Sequence, residues 1–155
     1  MTKAGPDPTR EGVSPSLGDS ARGRRHLPAT VVVALAGVVG AGAAAAATPT
    51  VKVSLKEFKV LPSVKSVAAG KVTFSAKNVG KVGHELLVIK TNIAPGKLPV
   101  KDGKASEKGK VGLVKELKPG TSGKVTVQLA KGKYVLLCNL PAHYQLGQYT
   151  GFTVK

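Results

Sequence analysis

From residue 50 onward, apolar and polar positions alternate with a period of two. Val51, Val53 and Leu55 are separated by Lys52 and Ser54; Val72, Phe74 and Ala76 by Thr73 and Ser75; Val125, Val127 and Leu129 by Thr126 and Gln128. A strand sends successive side chains to opposite faces, so each run predicts a β-strand with one face on a core. Leu86–Ile89 and Tyr134–Leu137 are apolar without a break, which predicts central strands covered on both faces. A short strand is expected over Val111–Leu117, and a last one places Phe152 and Val154 inward. Helical periodicity is poor, and no internal repeat is visible. Turn signals at Ala68–Gly70, Lys118–Gly120 and Lys131–Lys133 fall between the runs. The stretch Asn92–Lys110, with Pro95, Gly96, Pro99, Gly103 and Gly109, is too long and polar for a hairpin and reads as a surface loop or crossover. About seven to eight short strands with regular turns predict an all-β, Greek-key β-sandwich.

The chain before residue 48 follows another pattern. A polar segment with Arg22, Arg24 and Arg25 leads into an apolar stretch from Leu27 to Ala47 that closes on small residues. This is the layout of a secretory signal, with cleavage expected near Ala47. The stretch is also close to the roughly twenty residues that span a bilayer, so an uncleaved leader would act as an N-terminal anchor. The leader has no cysteine to carry a lipid. Its ArgArg pair is followed by HisLeuPro, a weak version of a twin-arginine signal. Residues 1–47 are thus read as signal peptide or anchor, and 48–155 as one domain in an exported, extracellular, cell-surface or periplasmic protein.

Composition changes the picture of the surface. Residues 48–155 hold nineteen lysines, no arginine and five acids (Glu57, Glu85, Asp102, Glu107, Glu116), a net charge of +14. Lysines on outward faces keep strand edges soluble, and their long-range field would draw acidic partners or anionic membranes in a salt-sensitive way. Nucleic-acid binding is not expected, since arginine and tryptophan are absent from this part and aromatic stacking platforms are few.

The chemistry rests on very few residues. Cys138 is the only cysteine, and the histidines are His26, in the leader, His84 and His143. A lone cysteine in an exported chain forms no internal disulfide, so it is an intermolecular link, a liability or a protected functional thiolate. A thiolate with two imidazoles and a weak, long axial ligand is the donor set of blue copper sites. The sole methionine is Met1, so if an axial side chain exists, Gln148 is the natural candidate.

Here a resemblance becomes specific. The run TyrValLeuLeuCysAsnLeuProAlaHisTyrGlnLeuGlyGlnTyrThrGlyPheThrVal is similar to the C-terminal ligand loop of the cupredoxins, the plastocyanin and azurin superfamily. AsnValGlyLysValGlyHisGlu, from Asn78 to Glu85, resembles the segment with that family's first histidine, and LeuLysProGly at 117 to 120 matches a further recurrent stretch. The resemblance spans Val51 to Lys155. It implies that His84, Cys138 and His143 are equatorial copper ligands, with Gln148 where most members have methionine, as in the stellacyanins. A harder amide oxygen favours Cu(II), so a lower reduction potential than in methionine-ligated relatives is expected. The backbone N–H of Glu85 is expected to donate to the thiolate, a contact that tunes the site. Tyr144 and Gln145 are expected to face solvent. Leu140, Pro141, Ala142 and Leu146 would frame the outer edge of His143, where redox partners dock in the family; lysines would steer an acidic partner there.

The leading expectation is therefore an exported type 1 copper protein, a monomer that carries one electron between partners and is not an enzyme. The same ligands would also serve a copper chaperone or store, and the fold without metal would serve as a structural module. Cys138 as a nucleophile with His143 as base lacks an orienting group and an oxyanion loop in the sequence.

Overall fold

The computed structural model describes residues 47–155; the predicted signal or anchor segment, apart from its last residue, lies outside them. Eleven strands form: β1 (Thr50–Lys56), β2 (Lys59–Pro62), β3 (Ser66–Val67), β4 (Gly70–Asn78), β5 (His84–Lys90), β6 (Val100–Lys101), β7 (Lys104–Ala105), β8 (Lys110–Leu117), β9 (Ser122–Leu129), β10 (Gly132–Leu137) and β11 (Tyr149–Val154). Three of them, β3, β6 and β7, are only two residues long, so the longer strands among the described residues number eight: the seven runs read from the sequence and, in addition, β2.

They build two facing sheets, ordered β2-β1-β4-β9 and β3-β11-β10-β5-β8, while β6 and β7 pair with each other. The chain changes sheet between β2 and β3, β3 and β4, β4 and β5, β8 and β9, and β9 and β10, which is what lets both sheets bury one face in a common core. The pairing is mixed: β1 lies parallel to β4, with Val51 opposite Phe74, and β3 lies parallel to β11.

Alternation becomes burial directly. Val51, Val53 and Leu55 of β1, Val72, Phe74 and Ala76 of β4, and Leu129 of β9 meet Leu86, Val88, Leu136 and Phe152 of the other sheet. Phe74 and Phe152 touch edge to face across the core, 5.5 Å between centroids, a favoured aromatic geometry. Where β9 crosses β8 the sheets come close: a Cβ at Gly123 would stand 2.6 Å from Val114 Cγ1.

The two unbroken apolar runs are covered on both faces. Leu87, Ile89, Val135 and Leu137 point away from the main core into a second apolar layer with Leu98, Ala105 and Tyr144. Residues 91–109, read from sequence as a surface loop or crossover, thus form a cover for the second sheet. Within it β6 and β7 close around Asp102 and Gly103, both at positive φ (50° and 75°), the pair of conformations that a tight hairpin of this twist requires.

Candidate metal centre

His84 opens β5 at one pole of the sandwich and is fully buried. The turn before it is fixed from two sides. Asn78, buried at the end of β4, donates from Nδ2 to the carbonyls of Val82 (2.7 Å) and Leu117 (2.8 Å) and accepts from Gly80 N–H (2.9 Å). Glu57 accepts from the backbone N–H groups of Lys81 and, at 3.0 Å, Val82. Those N–H groups favour its ionised form, and its pKa falls from the ordinary 4.5 to about 2, the Lys81 bond contributing most.

Cys138 follows β10 directly and is also fully buried. The backbone N–H of Glu85 donates to its Sγ at 3.4 Å, as the resemblance implied. Burial raises the thiol pKa, only partly offset by backbone donors; a metal-free Cys138 therefore keeps its proton, and a positive partner is what would make it a thiolate. The loop after it is clamped by its own ends, since Cys138 N–H donates to the Gln148 carbonyl at 3.0 Å. Within the loop Ala142 adopts a positive φ of 69°, and its N–H bonds to Gly103 O at 2.9 Å, tying the loop to the β6–β7 hairpin.

The loop carries His143 back over the thiol. Its Nδ1 lies 3.4 Å from Cys138 Sγ, and its ring stands 5.2 Å from the His84 ring between centroids. Donor atoms of His84, Cys138 and His143 all lie within 4.8 Å of one another. The three residues that the sequence singled out are brought together.

Gln148 reaches the same place and is fully buried. Its Nε2 donates to Lys56 O at 3.1 Å and lies 3.0 Å from His84 Nδ1. Its Oε1 has no hydrogen-bond partner, and neither has His84 Nε2. Buried polar atoms are nearly always satisfied, so the unpaired oxygen of an amide that lies against the His84 ring marks a position for a cation. The donor set, one soft sulfur, two imidazole nitrogens and an amide oxygen, fits copper. For His84, burial lowers the pKa first and the neighbouring His143 adds to it, which favours the neutral imidazole that a metal needs.

Sequence reasoning missed several supporting residues. Asn139 is buried; its Oδ1 accepts from Ala105 N–H (2.7 Å), and its Nδ2 donates to Ala105 O (3.0 Å) and Glu107 Oε1 (3.1 Å). It joins the cysteine's end of β10 to the hairpin over the second sheet. The Asp102–Gly103 pair was the signal that would have found that hairpin. Tyr144, expected in solvent, is instead buried: its ring belongs to the second apolar layer and its hydroxyl accepts from Leu98 N–H at 2.9 Å. Gln145 is exposed. Around half-buried His143, Pro141, Ala142 and Leu146 are exposed, Leu146 at 56%, and Leu140 is partly so. The Phe58 ring meets the His143 ring edge-on at 5.6 Å.

The sequence matches the family described as a cupredoxin-like domain over residues 29–150. Among solved structures, the dithionite-reduced auracyanin of the photosynthetic bacterium Roseiflexus castenholzii is 25% identical with a TM-score of 0.54, covering 70% of this chain and 98% of its own. Auracyanin A of Chloroflexus aurantiacus, described as a "blue" copper protein, is 21% identical, with a TM-score of 0.50 over 68% of this chain and 98% of its own. Rusticyanin from Thiobacillus ferrooxidans, at 18% identity, shares the fold with a TM-score of 0.52 over 68% of this chain and 77% of its own. No curated protein sequence matches the chain.

Proposed function

We propose, because this chain belongs to the family of cupredoxin-like domains, that it is an exported type 1 copper protein and carries one electron at a time between partners. His84, Cys138 and His143 would hold the ion, with Gln148 as a fourth, weaker ligand. The observation that carries this is the convergence of one thiol and two imidazoles within 4.8 Å, with a buried amide against His84 whose oxygen has no hydrogen-bond partner. Copper bound there supplies a one-electron couple between Cu(II) and Cu(I).

The chain's own contribution is to hold the donors still. Cys138 and Gln148 are joined through their backbones, His84 is the first residue of a central strand, and Asn78 and Glu57 fix the turn before it. A donor set on a rigid sheet changes little between oxidation states, which is the requirement for fast electron exchange. Burial keeps water from the thiol, while the exposed edge around His143 leaves one short path outward. We read the group as a carrier and not as an enzyme: His143 Nδ1 lies 3.4 Å from Cys138 Sγ, but the thiol is fully buried and burial raises its pKa, the reverse of an activated nucleophile.

The lysine-rich surface then selects an acidic redox partner, and the apolar rim of Pro141, Ala142 and Leu146 is the contact. Such encounters are small and weak. Stopped-flow electron exchange with an acidic partner protein should slow as salt is raised from about 10 mM to about 0.5 M, since the Debye length shrinks from roughly 30 Å to a few ångströms. Rates indifferent to ionic strength would reject the steering. Export is checked separately: protein recovered from the producing cell should carry a new N-terminus close to Thr48, or fractionate with membranes if the leader is retained. Full-length chain in the cytosolic fraction would contradict export.

A further inference from the structure

The hairpin between β1 and β2 contributes no ligand, yet its tip touches three of the four candidate ligands. Lys56 O accepts from the Gln148 amide at 3.1 Å. Glu57 Oε1 stands 3.7 Å from His84 Nε2. Phe58 meets the ring of His143 at 5.6 Å. Neighbouring residues thus hold His84 from opposite sides, one through Gln148 against Nδ1 and the other through a carboxylate facing Nε2.

The two ring nitrogens of His84 have different surroundings. Nδ1 lies among the donor atoms, 3.0 Å from Gln148 Nε2, and must offer a lone pair there. Nε2 is buried and has no hydrogen-bond partner; Glu57 Oε1 stands 3.7 Å from it, slightly beyond hydrogen-bond length. A neutral imidazole carries one proton, and a carboxylate at Nε2 draws it to that side. The Glu57 side chain is itself pinned by the N–H groups of Lys81 and Val82, and a Cβ at Gly80 would stand 2.6 Å from its Oε1. Gly80 thus leaves the room in which the carboxylate sits.

From this geometry we infer that Glu57 is a positioning residue for the metal centre. Together with the Gln148 amide at Nδ1, it holds His84 as the Nε2–H tautomer, and it sets a fixed negative charge behind the ring that favours Cu(II) over Cu(I). The inference rests on the reading of His84 as a ligand. Carboxylates that accept from the outer nitrogen of a ligating histidine raise its basicity, and their loss typically costs ten- to a hundredfold in metal affinity. A turn staple with no other role would need only an acceptor for two N–H groups. A neutral amide oxygen supplies that equally well.

Two variants separate the roles. Glu57→Gln keeps an acceptor for the Lys81 and Val82 N–H groups and removes the charge; Glu57→Ala removes both. In the metal-free protein, nitrogen-15 NMR should show His84 as the Nε2–H tautomer; because the Gln148 amide also donates to Nδ1, the effect of Glu57 is read in the Gln148→Met background, where adding Glu57→Ala should give a mixture. In the copper-loaded protein, Glu57→Gln should bind Cu(II) about ten- to a hundredfold more weakly, lose less affinity for Cu(I), and so have a raised reduction potential. If Glu57→Gln matches the wild type in potential and Cu(II) affinity, Glu57 is a turn staple and the inference is wrong. An unchanged tautomer when Glu57→Ala is added to Gln148→Met would equally overturn it. Should the wild type bind no copper, it is the ligand reading that fails, and the tautomer measurement alone then decides the role of Glu57.

Discussion

Replacing Cys138 with serine is expected to remove the intense visible absorption of the copper-loaded protein altogether. It should also weaken Cu(II) binding by more than the roughly hundredfold that loss of an outer-shell partner costs. The reason is chemical, since the two side chains differ little in size. A thiolate is soft, polarizable and able to give up its proton to a metal near neutral pH; a serine hydroxyl is none of these. Cys138 Sγ lies within reach of His143 Nδ1 and of the Glu85 N–H, at 3.4 Å each, so the serine oxygen still has a donor and the strand end has no reason to unfold. Visible absorption, Cu(II) competition and thermal unfolding on the same samples check this. A variant that kept the band would show that sulfur is not a ligand, and one that failed to fold would be recognised by its circular dichroism and replaced by Cys138→Ala.

Gln148→Met is expected to raise the reduction potential and to destabilise the metal-free protein by about 1–3 kcal/mol, the cost of leaving a buried partner unpaired. The Gln148 amide has two parts with different roles. Nε2 bonds Lys56 O at 3.1 Å, and that bond is lost with methionine. Oε1 has no protein partner, so its loss costs the metal-free fold nothing and matters only to an ion. A thioether is softer than an amide oxygen and favours Cu(I), so voltammetry should find the couple at a higher potential. An unchanged or lower potential would show that Gln148 holds the loop through Lys56 without meeting the metal.

The strands were legible where one face is buried and the other wet. Val51, Val53 and Leu55 alternate because they do so in space, and the runs Leu86–Ile89 and Tyr134–Leu137 lack polar gaps because the second sheet is covered twice. β2 and β3 escaped notice for a physical reason as well. Val60 is the only fully buried position in β2, β3 has none, and both are held by backbone pairing, which leaves no hydrophobic period to read. The cover over the second sheet was obscured in the same way: Leu98 and Ala105 are single apolar residues in a polar stretch, and their burial depends on what lies opposite.

The candidate ligands were legible for the opposite reason, scarcity. One cysteine and two histidines beyond the leader left few combinations, and the spacing from Cys138 to His143 and Gln148 put three of the four in one loop. The residues around them were not legible. Nothing in the sequence says that Glu57, twenty-seven positions before His84, ends up behind its ring, or that Asn139 joins β10 to a distant hairpin. Such partners are chosen by the packing of the pole. Tyr144 shows the limit most plainly, because a tyrosine in a loop between strands reads as exposed until Leu98 N–H is seen to donate to its oxygen.

Titration of the purified protein with Cu(II), followed by visible absorption, tests the central claim most directly. An intense thiolate-to-copper band is expected that saturates at one ion per chain, vanishes on reduction and returns in full on reoxidation. A protein that develops no such band, while Cys138 is freely alkylated in the presence of Cu(II), would contradict it.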